Sequence, residues 1–440
     1  MSTVRRPGHR SEQHGGHRSA RSPHSAGLRH VLTHLMTPLL MCIGMGLAYL
    51  GAFANPAPHQ LPVAVVGSGH SAQLLAQSIN DKAGGDLEVR TVGDRSAAVD
   101  RLKHQDIFGA YVIPAKGPTT GAAKGSAGGA GAEGAAAGPS KPVPELLVAT
   151  AGSDTSASVV QKVFTPVAAH QGTPLKVTDV APTAEDDPTG QGIFFLLVAI
   201  SIGSYASVTV IGGAGAVLPV RLRAALAIGT SFVVSLIGTA FAGPVFHLAD
   251  HGLRGLWAMA WLYSAGILLI GTGLHTFLKR WTTLGVMALF VMLNFTSSGG
   301  IFRPEMQNGF FAALHSFWNG AGFVEGTRSH VYFDNYGLPG HVWTLVWWLV
   351  AGLVMVGVAA LAEKWRRTAE AEAAANAAAV AAAAVAATVP EPTSKGDSQT
   401  TVRSARAAGG AGTEAREGAA DVDEAAEADV EMEMEEAVGV

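Results

Sequence analysis

The stretch that decides the fold is "GIFFLLVAISIGSYASVTVIGGAGAVLPVRLRAALAIGTSFVVSLIGTAFAGPVFH", residues 192–247. It contains two apolar runs, 193–217 and 223–247, which meet at a short connection that carries Arg221 and Arg223. An α-helix rises about 1.5 Å per residue, so about 20 residues cross about 30 Å of hydrocarbon. Each run is long enough, and together they predict two membrane-spanning helices joined by a cationic turn.

Four further runs of the same character extend this prediction to the whole chain. The 440 residues are 48% hydrophobic and only 15% charged, which is too apolar for an ordinary soluble protein. The predicted spans are 31–54, 193–217, 223–247, 255–278, 281–298 and 342–362. We therefore expect a polytopic α-helical membrane protein with six transmembrane helices. The single cysteine, Cys42, lies inside the first run, so no disulfide can form within one chain.

Lysine and arginine residues beside the predicted spans fall in alternate connections. Besides the arginines of residues 1–30, they are Arg221, Arg223, Lys279, Arg280, Lys364, Arg366 and Arg367. Cytoplasmic connections of membrane proteins are enriched in these residues. We therefore expect a multi-pass protein of the cell (plasma) membrane, in contact with membrane lipid, with both termini in the cytoplasm.

The N-terminal region begins with a basic arm, residues 1–30, which has few apolar side chains and is expected to be disordered. The following run, 31–54, ends in Ala52-Phe53-Ala54, which resembles a signal-peptidase site. The apolar core of a cleaved signal peptide is about 7 to 15 residues long, so this longer run favours an uncleaved anchor. In both cases the residues that follow are exported.

Residues 55–192 are predicted to form a small extracytoplasmic α/β domain between helices 1 and 2. The predicted strands are 62–66, 87–92, 107–113, 145–150 and 175–180, and the predicted helices are 71–82, 95–104 and 156–169. The Gly/Ala/Ser-rich segment 116–141 interrupts this pattern. It is expected to be a flexible insertion, because its small side chains cannot offset the entropy lost on ordering.

The sequence "VAVVGSGHSAQ", residues 63–73, carries a G-x-G-x-x-A pattern typical of dinucleotide-binding turns. The pattern alone has low specificity, and the expected topology puts it outside the cell, where such cofactors are not maintained for dehydrogenases. Tight strand-to-helix turns recruit glycine for its backbone freedom. We therefore predict a structural turn and no bound cofactor.

The C-terminal region, residues 363–440, follows the last span. Its first part is rich in alanine and predicts a helix that continues span six into the cytoplasm. From Pro390 onward acidic and small residues dominate, and we expect a disordered tail.

Residue types that carry chemistry are scarce. The interiors of the predicted spans hold no Asp, Glu, Lys or Arg, and no P-loop pattern occurs in the chain. His247, Asp250 and His251 offer three potential metal ligands in one short loop, but a cluster of this size at a membrane surface is usually solvated. We therefore expect no enzyme activity, no catalytic residue, no metal and no nucleic-acid partner.

Two polar patterns within the spans allow alternative interpretations. Ser231, Ser235, Thr239 and Gly243 recur at a spacing of four and form a small-residue face on one helix, suited to a gating or dimer interface or to packing against a neighbouring helix. Asn294 lies near the middle of span five and either lines a pathway or forms a hydrogen bond with a neighbouring helix.

The segment 299–341 is predicted to be an amphipathic or re-entrant hairpin. Pro304 suits the first turn of a helix, and Phe311 and Trp318 belong to an apolar face that follows it. Glu325 and Arg328 are close enough in sequence to pair on one helical face. The segment either packs as an interfacial lid or closes the mouth of a pathway as a gate.

The order of these parts resembles that of ABC type-2 transporter permeases, and most of all the phage-infection-protein (Pip) branch of bacterial membrane proteins. The resemblance covers about residues 31–365 and rests on Pro38, the junction "SSGGIFRPE" and the segment "FVEGTRSHVYF". Arg328 takes the place of an arginine that such permeases tend to keep before the last span. A proline that usually follows the lid helix is missing at "FWNGAG".

This resemblance implies the membrane subunit of an exporter, acting as a homodimer or heterodimer with a separate cytoplasmic ATPase. Arg221 and Arg223 would then belong to the surface that couples the permease to that ATPase. Because the Pip branch is associated with phage adsorption, the alternative is a non-transporting envelope scaffold or surface receptor that uses the exported α/β domain.

Overall fold

The computed structural model describes residues 23–114 and 143–388. The predicted insertion 116–141, the first 22 residues of the basic arm and the acidic tail after residue 388 lie outside the described residues. The first helix, α1, spans Pro23–Phe53 and so begins eight residues before the predicted span. The last helix, α12, spans Leu338–Thr388 and includes the alanine-rich continuation of the last apolar run.

Five helical runs among the described residues are long and apolar enough to cross a membrane. They are Leu35–Phe53, Gly192–Val217, Val220–Val245, Leu253–Ser297 and Leu338–Val385. The second run contains helix α5, Gly192–Gly213, and the third contains helix α6, Val220–Ala240. This is the architecture of a polytopic α-helical membrane protein.

The run Leu253–Ser297 folds back on itself. Helix α7, Leu253–Leu278, is followed by Lys279, whose φ of 48° and ψ of −117° break the helix. A short 3-10 turn, Lys279–Trp281, then leads into helix α8, Thr282–Met287, a π-helical turn, Ala288–Leu293, and helix α9, Asn294–Ser297.

The two arms of this run lie side by side. The amide of Asn294 donates a hydrogen bond of 2.6 Å to the hydroxyl of Tyr263, and these two residues are almost equally far along the chain from Lys279. The predicted spans 255–278 and 281–298 are therefore the two arms of one helical hairpin.

The helical bundle has a continuous apolar core built around α7. Leu197 and Ile200 of α5, Tyr263 and Ile267 of α7 and Phe290 of the second arm are all buried in it. By contrast, α1, α6 and α12 expose many large apolar side chains, as helices do when they face lipid or another subunit.

The α/β domain is built on a five-stranded sheet with the order β2-β1-β3-β4-β5. Strand β1 is parallel to β2 and β3, β4 is antiparallel to β3, and β5 is parallel to β4. The strands are β1 Leu61–Val66, β2 Leu87–Val92, β3 Ala110–Val112, β4 Glu145–Val148 and β5 Lys176–Asp179. The helices are α2 His70–Ala83, α3 Arg95–Lys103 and α4 Asp154–His170.

Both faces of the sheet are covered by helices, as the alternation along β1 shows. Leu61, Val63 and Val65 pack with residues of α2 and α4, whereas Ala64 and Val66 pack with residues of α3. The predicted order of strands and helices is confirmed. The observed bounds differ most at the strand predicted over 107–113: β3 covers 110–112, although Phe108 and Gly109 also form backbone hydrogen bonds with β1.

Candidate functional site

The residues between α9 and α12, 299–337, form a segment that we call the end segment. After Gly299, whose φ is +74°, Pro304 begins a single 3-10 turn, Pro304–Met306. Helix α10, Gly309–His315, follows, and the side chain of Asn308 caps it by accepting hydrogen bonds from the backbone N–H groups of Phe310 and Phe311. Helix α11, Asn319–Tyr332, is buried along nearly its whole length.

Three buried charged side chains of the end segment form what we call the charge cluster: Arg303, Glu325 and Arg328. Arg303 donates to one carboxylate oxygen of Glu325 at 2.5 Å, and Arg328 donates to the other at 3.0 Å. Arg328 also donates to the carbonyl oxygens of Gly299 and Gly300, at 2.9 and 3.1 Å. Both oxygens of the carboxylate therefore have a guanidinium partner.

Burial makes this pairing obligatory. The side chain of Arg328 is only 2% exposed and that of Glu325 only 4% exposed. Removing one partner from a buried ion pair typically costs about 3–5 kcal/mol, because a charge is left without compensation. Burial alone would raise the pKa of Glu325, but Arg303 and Arg328 outweigh that effect and lower it to about 2. Glu325 is therefore ionised at neutral pH.

His315 lies next to the charge cluster and is held in its neutral form. Burial lowers the pKa of His315 to about 4, although the charge of Glu325 acts in the opposite direction. Its Nδ1 atom lies 2.9 Å from the carbonyl oxygen of Ser297. Since a carbonyl only accepts, Nδ1 carries the proton and ties the end of α10 to the end of α9.

The α/β domain rests on the end segment. The guanidinium of Arg303 lies 5.2 Å from the ring centroid of Phe108, and the hydroxyl of Thr155 donates to the carbonyl oxygen of Ile301 at 3.3 Å. Closer to α12, Lys103 pairs with Asp334 at 3.4 Å, and the rings of His104 and Tyr336 stack. We call the end of the bundle that carries these contacts the domain end.

The aromatic side chains of residues 310–318 divide between two environments. Phe311 is buried against α1 near Gly51. Trp318 is also buried, where its ring lies 5.2 Å from that of Trp348 and its N–H donates to the carbonyl oxygen of Leu289 at 3.3 Å. Phe310 and Phe317 are exposed. Phe311 and Trp318 therefore attach α10 and the start of α11 to the bundle.

The small-residue face of α6 packs within the same chain. The indole N–H of Trp261 on α7 donates to the hydroxyl of Ser231 at 3.1 Å. Ser235 is buried, and Thr239 is partly buried. A Cβ at Gly243 would lie 2.8 Å from the side chain of Leu253. The contacts of this face match the interpretation of helix packing between neighbours.

Asn294 joins a buried polar network. Its amide donates to Tyr263, and its carbonyl oxygen accepts from the backbone N–H of Gly320 at 2.7 Å. The hydroxyl groups of Tyr263 and Ser201 are also within hydrogen-bond distance, at 2.5 Å. This network connects α5, α7, α9 and α11, so Asn294 forms the interhelical hydrogen bonds that were one of its two predicted roles.

The two arginines predicted to meet an ATPase lie in different environments. Arg221 is exposed, whereas Arg223 is buried and pairs with Glu363 of α12 at 3.4 Å. Arg223 lines a cavity of about 590 Å³, together with Lys279, Arg280 and Arg366. We call this end of the bundle the arginine end.

The glycine pattern lies directly after β1, and the His/Asp loop lies between α6 and α7. Gly67 has a φ of +152°, and a Cβ there would lie 3.1 Å from that of Ala72, so the turn after β1 requires glycine at this position. His247, Asp250 and His251 are exposed, and no group of metal-binding side chains occurs in the described ranges 23–114 and 143–388.

The sequence did not predict three residues that form these buried contacts: Arg303, His315 and Glu363. The contacts described above depend on the tertiary fold, since Arg303 pairs with a residue 22 positions away and Glu363 pairs with Arg223, 140 positions away. The only local signal was an arginine in the quoted junction "SSGGIFRPE".

No protein-family model, curated protein or solved structure matches this chain. The family resemblance given above therefore depends on the order of the spans and on the quoted motifs.

Proposed function

We propose that this chain is the membrane-spanning permease subunit of an ABC-type exporter that works with a separate cytoplasmic ATPase. The observation that carries the proposal is the end segment. Its two helices fill one end of the bundle beneath the α/β domain, and the buried charge cluster holds them there. Such a segment can close one mouth of a pathway, which is the role expected of a gate.

The proposed topology has six spans with both termini in the cytoplasm. Five apolar helical runs, one of which turns back at Lys279, supply six crossing segments. Arg223, Lys279, Arg280, Arg366 and Arg367 surround one cavity, which supports their location on one side of the membrane. The enrichment of cations in cytoplasmic connections makes that side the cytoplasm, so that the α/β domain lies outside the cell membrane.

Energy for transport would come from the partner protein. The chain has no P-loop pattern, and the charged groups of the described bundle lie at its ends, in turns or in the end segment. The exposed Arg221 near the start of α6 is the part of the arginine end best suited to contact an ATPase. The exposed apolar faces of α1, α6 and α12 suit both lipid and a second subunit, so we expect a homodimer or heterodimer.

Affinity purification in mild detergent tests this proposal. We expect an ATPase to co-purify with the full chain and its turnover to fall when Arg221 is changed to Gln. Arg254→Gln is the matched control, because Arg254 is also exposed. It lies at the start of α7, whereas the other end of that helix, next to Lys279, belongs to the arginine end. Absence of an ATPase, or equal effects of the two substitutions, would contradict the proposal.

A non-transporting envelope scaffold or phage receptor is the second candidate. It is favoured by the contacts that seat the α/β domain on the end segment, since a fixed exported domain suits partner binding. Deletion of the gene distinguishes the two: altered phage adsorption with unchanged growth and drug sensitivity favours the receptor.

A further inference from the structure

The cavity at the arginine end has the charge of an anion site. Its walls come from the ends of α5 and α7, the starts of α6 and α8, the connections between them, and α12. Five cationic side chains and two carboxylates line it, a formal excess of three positive charges. They are Arg223, Lys279, Arg280, Arg366, Arg367, Glu363 and Glu370.

Two buried donors that line this cavity lack a partner. The Nε atom of Arg223 and the hydroxyl of Thr276 have no hydrogen-bond partner in the part of the chain that the structure describes. Arg223 is only 6% exposed, and its ion pair with Glu363 is long, at 3.4 Å. Buried donors are normally satisfied, so both groups point to an acceptor that residues 23–114 and 143–388 do not supply.

The carboxylates of the cavity do not neutralise its cations. Glu363 is shared between Arg223 and Arg367, which it contacts at 2.6 Å. Within residues 23–114 and 143–388, Lys279, Arg280 and Arg366 form no ion pair. An anion that enters the cavity would therefore meet unpaired positive charge.

The surroundings of the cavity indicate what kind of anion it suits. It lies where apolar helices end, and the neighbouring side chains of Val217 and Trp281 are exposed. Aromatic and cationic residues at such a boundary are typical of the level of lipid headgroups. Basic pockets between transmembrane helices bind the headgroups of anionic lipids.

We propose that this cavity binds the headgroup phosphate of an anionic phospholipid, whose acyl chains remain in the adjacent leaflet. Arg223 and Thr276 would donate to the phosphate oxygens, while Arg280 and Arg366 attract it from the rim. The site is independent of transport, because it requires neither an ATPase nor an exported substrate.

Lipid binding to the purified full-length chain tests this inference. Native mass spectrometry in detergent, with phosphatidylglycerol and phosphatidylcholine as competing probes, is expected to show retention of phosphatidylglycerol. Each cation near a membrane surface contributes about 1 kcal/mol to binding of anionic lipid. The double variant Arg280→Gln, Arg366→Gln should therefore weaken phosphatidylglycerol binding about tenfold or more.

Matched variants separate the cavity from general surface charge. Arg223→Gln should also abolish the preference for phosphatidylglycerol over phosphatidylcholine. If this buried substitution prevents folding, the double variant at the exposed rim still tests the inference. Arg221→Gln removes a cation two residues away that does not line the cavity, so its binding should stay within about twofold of the wild type. A loss of ATPase coupling in Arg221→Gln with intact lipid binding would separate the two proposals.

Three results would overturn the inference. One is equal retention of the two lipids, and another is an equal loss of binding in Arg221→Gln and in the rim double variant. The third is saturable binding of inorganic phosphate or glycerol phosphate that displaces the lipid, which would assign the cavity to a soluble anion.

Discussion

Glu325 is the residue on which the end segment depends. It is the one carboxylate that contacts both Arg303 and Arg328, and each guanidinium uses a different oxygen of it. Its position on the buried helix α11 means that water cannot replace it as a partner. Replacing Glu325 by a neutral side chain of the same size therefore measures the cost of burying Arg303 and Arg328 without this carboxylate.

We predict that Glu325→Gln lowers the free energy of unfolding by about 3–5 kcal/mol, because buried Arg328 loses its carboxylate partner and Arg303 keeps only a long pair with Glu305, at 3.9 Å. Thermal or denaturant unfolding in detergent measures the change. Glu88→Gln is the control, since it breaks an exposed ion pair with Arg90 and should cost about 1 kcal/mol or less. Similar losses in both variants would show that the charge cluster is solvated.

His315 gives stability a dependence on pH. Because burial lowers its pKa from 6.5 to about 4, the unfolded chain binds a proton more readily than the folded chain does. The stability from neutral His315 is complete above pH 6.5 and is lost as pH falls from 6.5 toward 4. Over that window the loss amounts to about 3 kcal/mol.

The comparison of wild type with His315→Asn across pH 7 to pH 4 measures this contribution. Asparagine keeps an N–H donor for the carbonyl oxygen of Ser297 but does not titrate, so the variant should show a shallower decline of unfolding temperature in this window. Identical pH profiles would contradict the assignment. Glu325 adds its own decline only between pH 4.5 and about 2.

At the residue scale, the sequence predicts pairs that lie within one helix and misses the others. Glu325 and Arg328 are three positions apart, so helical geometry alone brings them together. Arg303 reaches the same carboxylate from 22 residues away, after the turn that contains Gly299. No local pattern encodes that approach.

Among the elements, α11 is fixed to the α7–α9 hairpin by a close contact at Gly320. Its N–H donates to Asn294, and a Cβ at this position would overlap the carbonyl oxygen of that side chain. The helix can lie this close to its neighbour only because the residue has no side chain.

We predict that Gly320→Ala destabilises the protein by about 1–3 kcal/mol, because the added methyl group pushes α11 away from Asn294. Gly229→Ala is the control, since Gly229 is also helical but has open space at its Cβ position, and little change is expected there. Unfolding temperatures of the two variants give the comparison. A neutral Gly320→Ala would mean that α11 is packed loosely.

Element positions could be predicted from the sequence to within a few residues in most cases. Apolar length identified the spans, and the cations Lys279 and Arg280 marked a division within what is otherwise one apolar helical run. In the α/β domain, β-rich runs and helical stretches alternate clearly. The early start of α1 at Pro23 was missed, because polar and basic residues there resemble a disordered arm.

For the whole molecule, the proposed function depends on the side of the membrane on which each connection between the helices lies. We predict that His70→Cys, made in a Cys42→Ala background, reacts with a membrane-impermeant maleimide in intact cells. Arg280→Cys in the same background should react only after the membrane is permeabilised. Both positions are exposed in the protein, so burial does not account for a difference. Labelling of residue 280 but not residue 70 in intact cells would reverse the proposed topology.

The association of the α/β domain with the bundle could not be predicted from the sequence. It depends on contacts between residues that are far apart in the chain, such as Thr155 with Ile301 and Lys103 with Asp334. Each partner is an ordinary polar residue in its own segment. Only the assembled fold makes them neighbours.

The stacking of Tyr336 on His104 couples the α/β domain to helix α12, which begins two residues later at Leu338. If α12 tilts, either the domain moves with it or the stacking between Tyr336 and His104 is lost. A molecule that binds the domain and holds it in place would therefore restrict the movement of α12. By thermodynamic reciprocity, any event that repositions α12 from the arginine end would change how tightly that molecule is held.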